Sequence, residues 1–294
     1  MQGQILAIGG FDLNTGAIFD FVETRRRRGN RNWHHLAALP TARANLSAAD
    51  LDGFVYAVGG FDGQEQVSAA VDRYDPDTKA WQPSPNLPVG RAGAGVVGLD
   101  GLLYVARGEL PPINNVDQLT DSMIIYDPTQ MSWTPVTSML TKRTRFRLVA
   151  ARGHLYAIGG FSEVNQPLAT VERYDPGSHT WDKVASMHQT RALPGAVVIR
   201  SGHRRFIVVV GGGRGQPGTP TFGRRRTTEI YNVDTDRWHM LQVLLPHGKV
   251  SLVSEVEDDN TVLAIGGGVA ANGDGVASAS VEALALTDHD LGEH

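Results

Sequence analysis

The hydrophobic positions come in short runs that the chain repeats. The stretch "FVYAVGGFDGQEQVSAAVDRYDPDTKAW" (54–81) is an apolar run, a Gly pair, a polar loop, a second strand-like run, a turn and a Trp. It returns as "HLYAIGGFSEVNQPLATVERYDPGSHTW" (154–181). A Gly pair, or its remnant, closes an apolar run at Gly9-Gly10, Gly59-Gly60, Arg107-Gly108, Gly159-Gly160, Gly211-Gly212 and Gly266-Gly267. The interval is roughly 50 residues, the mark of stacked similar units. Short runs bounded by Gly and Pro predict strands, and no stretch reads as an amphipathic helix.

After most Gly pairs comes a strand end with a turn: "RYDPDT" (73–78), "IYDPTQ" (125–130), "RYDPGS" (173–178) and "IYNVDT" (230–235). Trp81, Trp133, Trp181 and Trp238 follow, with Trp33 in the first unit. Arg43, Arg91, Arg143 and Arg191 come next. Each unit therefore reads as four strands, a to d. In the third these are "GAGVVGL", "LLYVA", "SMIIYDP" and "SWTPV". Strand b is nearly all apolar, as a strand buried on both faces must be. Asp-Pro sets the c–d turn, because Asp caps its own backbone and Pro fixes φ. Trp supplies apolar area where one unit lies on the next. A single unit cannot bury its faces alone, and stacking units around an axis does so.

These residues resemble the kelch family, whose signature is the Gly pair, then Y-D-P-x-T-x-x-W, then an Arg. "VDRYDPDTKAW" and "VERYDPGSHTW" are most similar to the propeller of animal BTB–kelch proteins. The resemblance implies an all-β fold in one domain: a six-bladed kelch β-propeller of four-stranded antiparallel blades. The expected blades are about 1–40, 41–90, 91–140, 141–190, 191–245 and 246–287, with a tail at 288–294. Arg107 replaces a Gly, "YNV" replaces "YDP" in the fifth unit, and the first carries the basic run "TRRRRGNRNW" (24–33). The sixth has no following Trp. The chain starts at strand b and ends near strand c. Its last residues, "TDHDLGEH" (287–294), are too polar for the two strands a closed ring still needs, so incomplete closure between first and last blades is expected.

Composition narrows the chemistry. With no Cys among 294 residues, disulfides, thiolate metal sites and Cys nucleophiles are excluded. So is the Cys–Tyr copper chemistry of some kelch-like propellers. No apolar run reaches the ~18 residues of a membrane span, and "MQGQILAIGG" has no signal-peptide pattern. A cytoplasmic, reducing location and no membrane partner are expected. A net charge of −4 argues against a nucleic-acid partner. The histidines show no metal-ligand spacing, and "GGGRGQPGTP" (211–220) lacks the Lys and helix of a phosphate loop. No cofactor and no metal site are expected, and the isolated domain reads as a monomer. "WHH" (33–35) and Arg25–Arg28 read as solvated surface, "DHDLGEH" as a frayed tail.

Binding is expected on the end formed by b–c and d–a loops, where BTB–kelch propellers meet their ligands. Two sets of positions carry over. The first follows the Gly pairs: Phe11, Phe61, Glu109 and Phe161. The second is the Arg after strand d with the residue two beyond it: Arg43 and Asn45, Arg91 and Gly93, Arg143 and Arg145, Arg191 and Leu193. "KRTRFR" (142–147) has the Arg-x-Arg form of acidic-peptide pockets in similar adaptors. The competing reading makes these Arg structural, bonding loop carbonyls, and packs each Phe on its own loop. Long loops at 109–120 and 213–226, the latter with Arg224, should wall the pocket. Summed over these loops, basic residues including Lys249 exceed acidic ones by roughly four.

The leading expectation is a protein- or peptide-binding module for an acidic segment, as in the substrate-recognition propeller of a cullin ubiquitin-ligase adaptor. No BTB segment lies in these residues. One alternative is a small-molecule enzyme, an isomerase, mutarotase or cyclase, using the channel mouth, although no acid–base pair is distinctive. Another is an actin-associated architectural propeller.

Overall fold

The computed structural model describes residues 3–12, 15–27, 32–113, 116–216, 222–258, 261–271, 274–277, 280–287 and 290–291. No helix occurs among them. The chain packs as two units, Met1–Thr144 and Arg145–His294.

Each unit holds three blades. In the first unit, blade 1 is Gln4–Phe11, Ile18–Arg26 and His34–His35; blade 2 is Ser47–Leu51, Phe54–Val58, Val71–Asp75 and Ala80–Ser84; blade 3 is Gly95–Leu99, Leu102–Ile113, Val116–Asp127 and Ser132–Val136. In the second, blade 4 is Arg147–Ala151, His154–Ile158, Val171–Asp175 and Thr180–Val184; blade 5 is Gly195–Ser201, Arg204–Val210, Thr228–Asn232 and Arg237–Met240; blade 6 is Val253–Asp258, Thr261–Ile265 and Val281–Ala285. Strands pair antiparallel in chain order, and the fold is a six-bladed β-propeller. Among the described residues blade 1 has no strand a, blade 6 has no strand d, and none after Ala285 is a strand. The fold thus matches the expected incomplete closure.

Hydrophobic cores form between consecutive blades. Tyr56, Val58, Leu103, Val105 and Tyr126 join blades 2 and 3. Tyr156, Ile158, Ile207, Val209 and Tyr231 do the same for blades 4 and 5. Strand b supplies most of this surface, and each fully buried aliphatic side chain contributes about 1.5–3 kcal/mol. The c-strand Tyr meets the d-strand Trp at 5.2 Å (Tyr74–Trp81), 5.0 Å (Tyr126–Trp133), 5.2 Å (Tyr174–Trp181) and 4.9 Å (Tyr231–Trp238). Such indoles also grip the preceding blade. Trp81, Trp133 and Trp238 donate to the carbonyls of Ala37, Pro85 and Ala185 at 2.9, 3.0 and 2.7 Å.

That register corrects the reading of the arginine run. Arg25 is buried within strand c. Ala7 pairs with Glu23 as Ala57 pairs with Asp72, so Arg25 takes the position of Tyr74. Its guanidinium lies 5.7 Å from the Trp33 ring centroid, a cation–π contact replacing the aromatic pair. Arg28 lies outside the described residues. The exposed pair His34–His35 is the solvated outer strand that the sequence suggests.

Two further expectations change. The segment 109–120 is not a loop: strands b and c of blade 3 continue as a hairpin, with Glu109 opposite Leu119 and a bulge between Thr120 and Met123. Arg107, with φ +58°, keeps the backbone of the Gly it replaces, so the departure from the usual turn comes after it. Of the tail, residues 290–291 are described, and there the expectation of fraying is corrected: Leu291, like Leu286 before it, is buried in the blade 5–6 core. Thr287 N and Oγ1 donate to the Asp290 carboxylate at 2.8 and 2.7 Å.

The c–d turns work as their Asp predicts. Asp75, Asp127 and Asp175 each accept the backbone N–H two residues on, at 2.9, 2.8 and 2.8 Å. For Asp127 the Thr129 hydroxyl is the larger cause of a pKa held below the ordinary 3.8. A folded-state pKa below the unfolded one means stability present above about pH 3.8 and lost as pH falls through the folded value. Asp127→Ala should therefore be less stable than wild type at neutral pH, and urea unfolding should show the difference shrinking below about pH 4.

Strand b of blade 1, "QILAIGGF", is as apolar as its equivalents, yet among Gln4–Phe11 only Ile5 is buried, against four of five residues in His154–Ile158. Among the described residues no strand a pairs with its other edge. Hydrogen-exchange mass spectrometry should find Gln4–Phe11 exchanging faster than His154–Ile158; equal protection would contradict this.

Candidate functional site

The Arg after strand d ties two consecutive blades together. The backbone of Arg91 belongs to blade 2: its N–H donates to Ser68 and its carbonyl accepts from Gly60, at 3.1 and 2.8 Å. Its side chain belongs to blade 3, donating to the Ser122 carbonyl and hydroxyl at 3.0 and 2.9 Å. Arg43 repeats this between blades 1 and 2, bonding the carbonyls of Gly59 and Ala70 and the Asp72 carboxylate. Arg191 does so between blades 4 and 5, reaching the Gly211 and Thr227 carbonyls at 2.6 and 2.8 Å and Glu229 at 3.0 Å. Lys249 takes the same role between blades 5 and 6. Its ammonium bonds Ser280 Oγ at 2.7 Å and lies 3.3 Å from Glu282.

The first Gly of each pair exists for this contact. At Gly59, with φ +60°, a Cβ would sit 2.0 Å from the Arg91 carbonyl oxygen; at Gly159, with φ +61°, it would sit 2.3 Å from that of Arg191. At these two positions a side chain would meet backbone, although blade 3 holds Arg107 at the equivalent place with φ +58°.

Arg43, Arg91, Arg143 and Arg191 are all buried. The expectation that they line a pocket is corrected: desolvating a guanidinium demands interior partners, and blade carbonyls and carboxylates supply them. Burial is the main cause that lowers the pKa of Arg91 and Arg191 to about 10, with Glu229 opposing it at Arg191. Lys249 is buried too. Five cations thereby leave the summed loop surface, and its expected net positive charge goes with them. Phe161 is also buried, bridged to Pro167 across its own loop.

The second position of each pair behaves differently. Asn45, Gly93, Arg145, Leu193 and Ser251 all have φ between +48° and +61°. Within the first unit, Gly93 N donates to Asn45 O at 2.9 Å; within the second, Leu193 N donates to Arg145 O at 2.8 Å and Ser251 N to Leu193 O at 3.0 Å. The left-handed residues of consecutive blades are thus chained by their backbones. Asn45, Arg145 and Ser251 are exposed. Between buried Arg and left-handed residue lies a small residue that pairs with the b–c loop. Ala44 exchanges bonds with Phe61 at 2.8 and 2.7 Å, and Ala92 with Glu109 at 3.0 and 2.8 Å. Phe61 and Glu109 are half-buried and Phe11 is exposed.

In blade 5 the b–c connection carries a two-residue ladder, with Gly213 opposite Arg224 and Arg214 opposite Gly223. Residues 217–221 lie outside the described set. Arg224 is half-buried, 5.9 Å from the Phe222 ring centroid. Arg225 donates to Thr190 O at 2.8 Å and Gln189 Oε1 at 2.9 Å. Arg214 and Arg226 are exposed. At this end of the second unit the accessible cations are therefore Arg145, Arg214, Arg224 and Arg226. Among the described residues no group of three or more His, Asp or Glu could hold a metal ion.

The buried carboxylates were the part missed from sequence. Asp72, Glu172 and Glu229 stand two residues before the c-strand Tyr, in "VDRYD", "VERYD" and "TEIYN", and Glu282 takes the same register in "VEALA". Blade 3 has Ile124 there, and Arg91 makes do with Ser122. A repeated acid beside an otherwise apolar strand was the available signal.

Comparison with known proteins agrees with this geometry. The Kelch motif matches residues 42–88, 90–140 and 142–188. Kelch-like protein 35 of Mus musculus is 30% identical over 193 residues, covering 65% of this chain and 30% of its own length. Kelch-like protein 41a of Danio rerio is 27% identical over 218 residues, covering 72% and 34%. The solved structure of YjhT superposes with a TM-score of 0.77 at 18% identity, over 96% of this chain and 94% of that one. The chain is a kelch-repeat β-propeller related to the Kelch-like proteins. It spans about a third of the length of the curated relatives it matches.

Removing either side of the Arg191–Glu229 pair strands a buried charge. Arg191→Ala and Glu229→Ala should each cost about 3–5 kcal/mol of unfolding free energy. The double variant should cost less than their sum. Denaturant titration checks both.

Proposed function

We propose that the chain is a protein- or peptide-binding module, using the end where the b–c loops and the chained left-handed residues lie. The observation that carries this reading is the division of labour within the Arg-x-x triplet. Its first residue is locked inside the blades, while its third shares one backbone conformation across blades with unlike side chains: Asn45, Gly93, Arg145, Leu193 and Ser251. A rigid frame presenting variable groups suits recognition. The relation to Kelch-like proteins supports a place in a substrate adaptor for a cullin ubiquitin ligase.

The ligand is an acidic segment. Its carboxylates meet Arg145 and the Arg214, Arg224 and Arg226 group through charge-assisted bonds. Phe11 and Phe61 offer apolar contact in the first unit.

Partners captured by the purified chain should be tested as peptides by fluorescence anisotropy. Arg145→Ala should weaken binding about tenfold or more, as loss of a bond to a charged group implies, and the melting temperature should stay within a degree or two. Affinity that ignores Arg145 and salt, or favours basic peptides, would sink the acidic-ligand reading.

A further inference from the structure

The second unit carries another basic surface, at the opposite ends of its strands. The a–b hairpin of blade 5, "IRSGHRRF" (199–206), places Arg200 directly opposite Arg205 across an antiparallel ladder. Like charges so placed oppose pairing. Among the described residues neither forms an ion pair. Arg152, at the a–b turn of blade 4 with φ +53°, reaches across to the same place. It donates to the His203 carbonyl and holds the Asp234 carboxylate, with Nη2 at 3.0 Å from Oδ1 and 3.2 Å from Oδ2. Burial first, then the charges of Arg200 and Arg152, hold Arg205 below the usual guanidinium value, with Asp234 opposing. Arg200, Arg204 and Arg152 are exposed and Arg205 is half-buried.

A tight hairpin has no need of two facing arginines. Its turn rests on Gly202, with φ +53°, and the Arg205 carbonyl accepts from Val233 N at 3.1 Å whatever the side chain. The cost to pairing falls when an anion sits between the two guanidiniums. Asp234 on Arg152 shows which anion the place already accommodates: a carboxylate paired with a guanidinium.

We infer that this hairpin is a second interaction surface, which takes an acidic segment of a protein partner with one carboxylate between Arg200 and Arg205. An extended polyanion fits poorly. The c–d turns at the same end carry Asp175, Asp234 and Asp236, and the whole chain has a net charge of −4. A bilayer or a nucleic acid would have to meet those carboxylates, whereas a short segment need only cover the hairpin. The surface lies apart from the loops proposed above and does not rest on that reading.

The test uses the full chain carrying Arg145→Ala, to weaken the other end, and a fluorescein-labelled tetraglutamate peptide followed by anisotropy; dependence on Arg200 and Arg205 separates the two ends. Binding should appear and weaken with salt, and Arg200→Ala or Arg205→Ala should weaken it about tenfold or more. No binding at millimolar peptide, or binding indifferent to both substitutions, would overturn the inference. So would tighter, Arg205-dependent binding to phosphatidylserine-containing vesicles than to the peptide, which would assign the surface to membranes. Without peptide, Arg200→Thr should raise the melting temperature, because it removes the facing charge. A fall would mean that the pair serves the fold, and would equally overturn the idea.

Discussion

One contact organises this protein: a cation whose backbone is bonded to one blade and whose side chain is buried in the next. Arg43, Arg91, Arg191 and Lys249 each make it. The backbone half is a pair of hydrogen bonds to the b–c region of the preceding blade. The other half is a charge removed from water, tolerable only because carbonyls and usually a carboxylate surround it. Arg191 is the most fully supplied, with Glu229, two carbonyls and Thr227. Arg91 is the least, since Ile124 stands where other blades have an acid. The Gly pair and the distant Arg of the repeat are therefore two sides of a single contact. At Gly59 and Gly159 the carbonyl of that Arg occupies the space a Cβ would need.

The same contact explains where variation can be tolerated. Locking the first residue of each triplet pins the backbone after it, including a left-handed residue two positions on. An Arg, Leu, Asn or Ser at positive φ carries some strain. The chained backbone bonds between consecutive blades hold these residues in place all the same. Such a position is free in side chain and fixed in direction, a useful combination for recognition. Most of the cations that remain accessible at this end, Arg145, Arg214, Arg224 and Arg226, belong to the second unit.

Blade 1 illustrates the consequences of an incomplete repeat. Arg25 stands in for the c-strand Tyr and stacks on Trp33, which keeps the blade-face contact while changing its chemistry. Its strand b is left more exposed than a similar pattern elsewhere, because the missing strand a would have covered its edge. Exposure here is a matter of neighbours rather than of hydrophobicity.

The architecture was legible in the sequence because a propeller blade is a local object. The apolar run, Gly pair, Asp turn and Trp all act within about 50 residues, and each has one physical purpose that residue type reveals. The short strands of blade 2 and the Asp75 and Asp127 turns arise from that alone. Direction across blades was not legible. An Arg after strand d satisfies the sequence pattern equally well pointing outward to a ligand or inward to Asp72 or Glu229. Only the tertiary packing decides, because those partners lie 29 and 38 residues away on another strand. Likewise the facing of Arg200 and Arg205 depends on hairpin register, and the burial of Leu291 on a core assembled from two blades. Local chemistry determined the elements; which side chains are enclosed, and so which remain free to bind, was set by what the next blade brings against them.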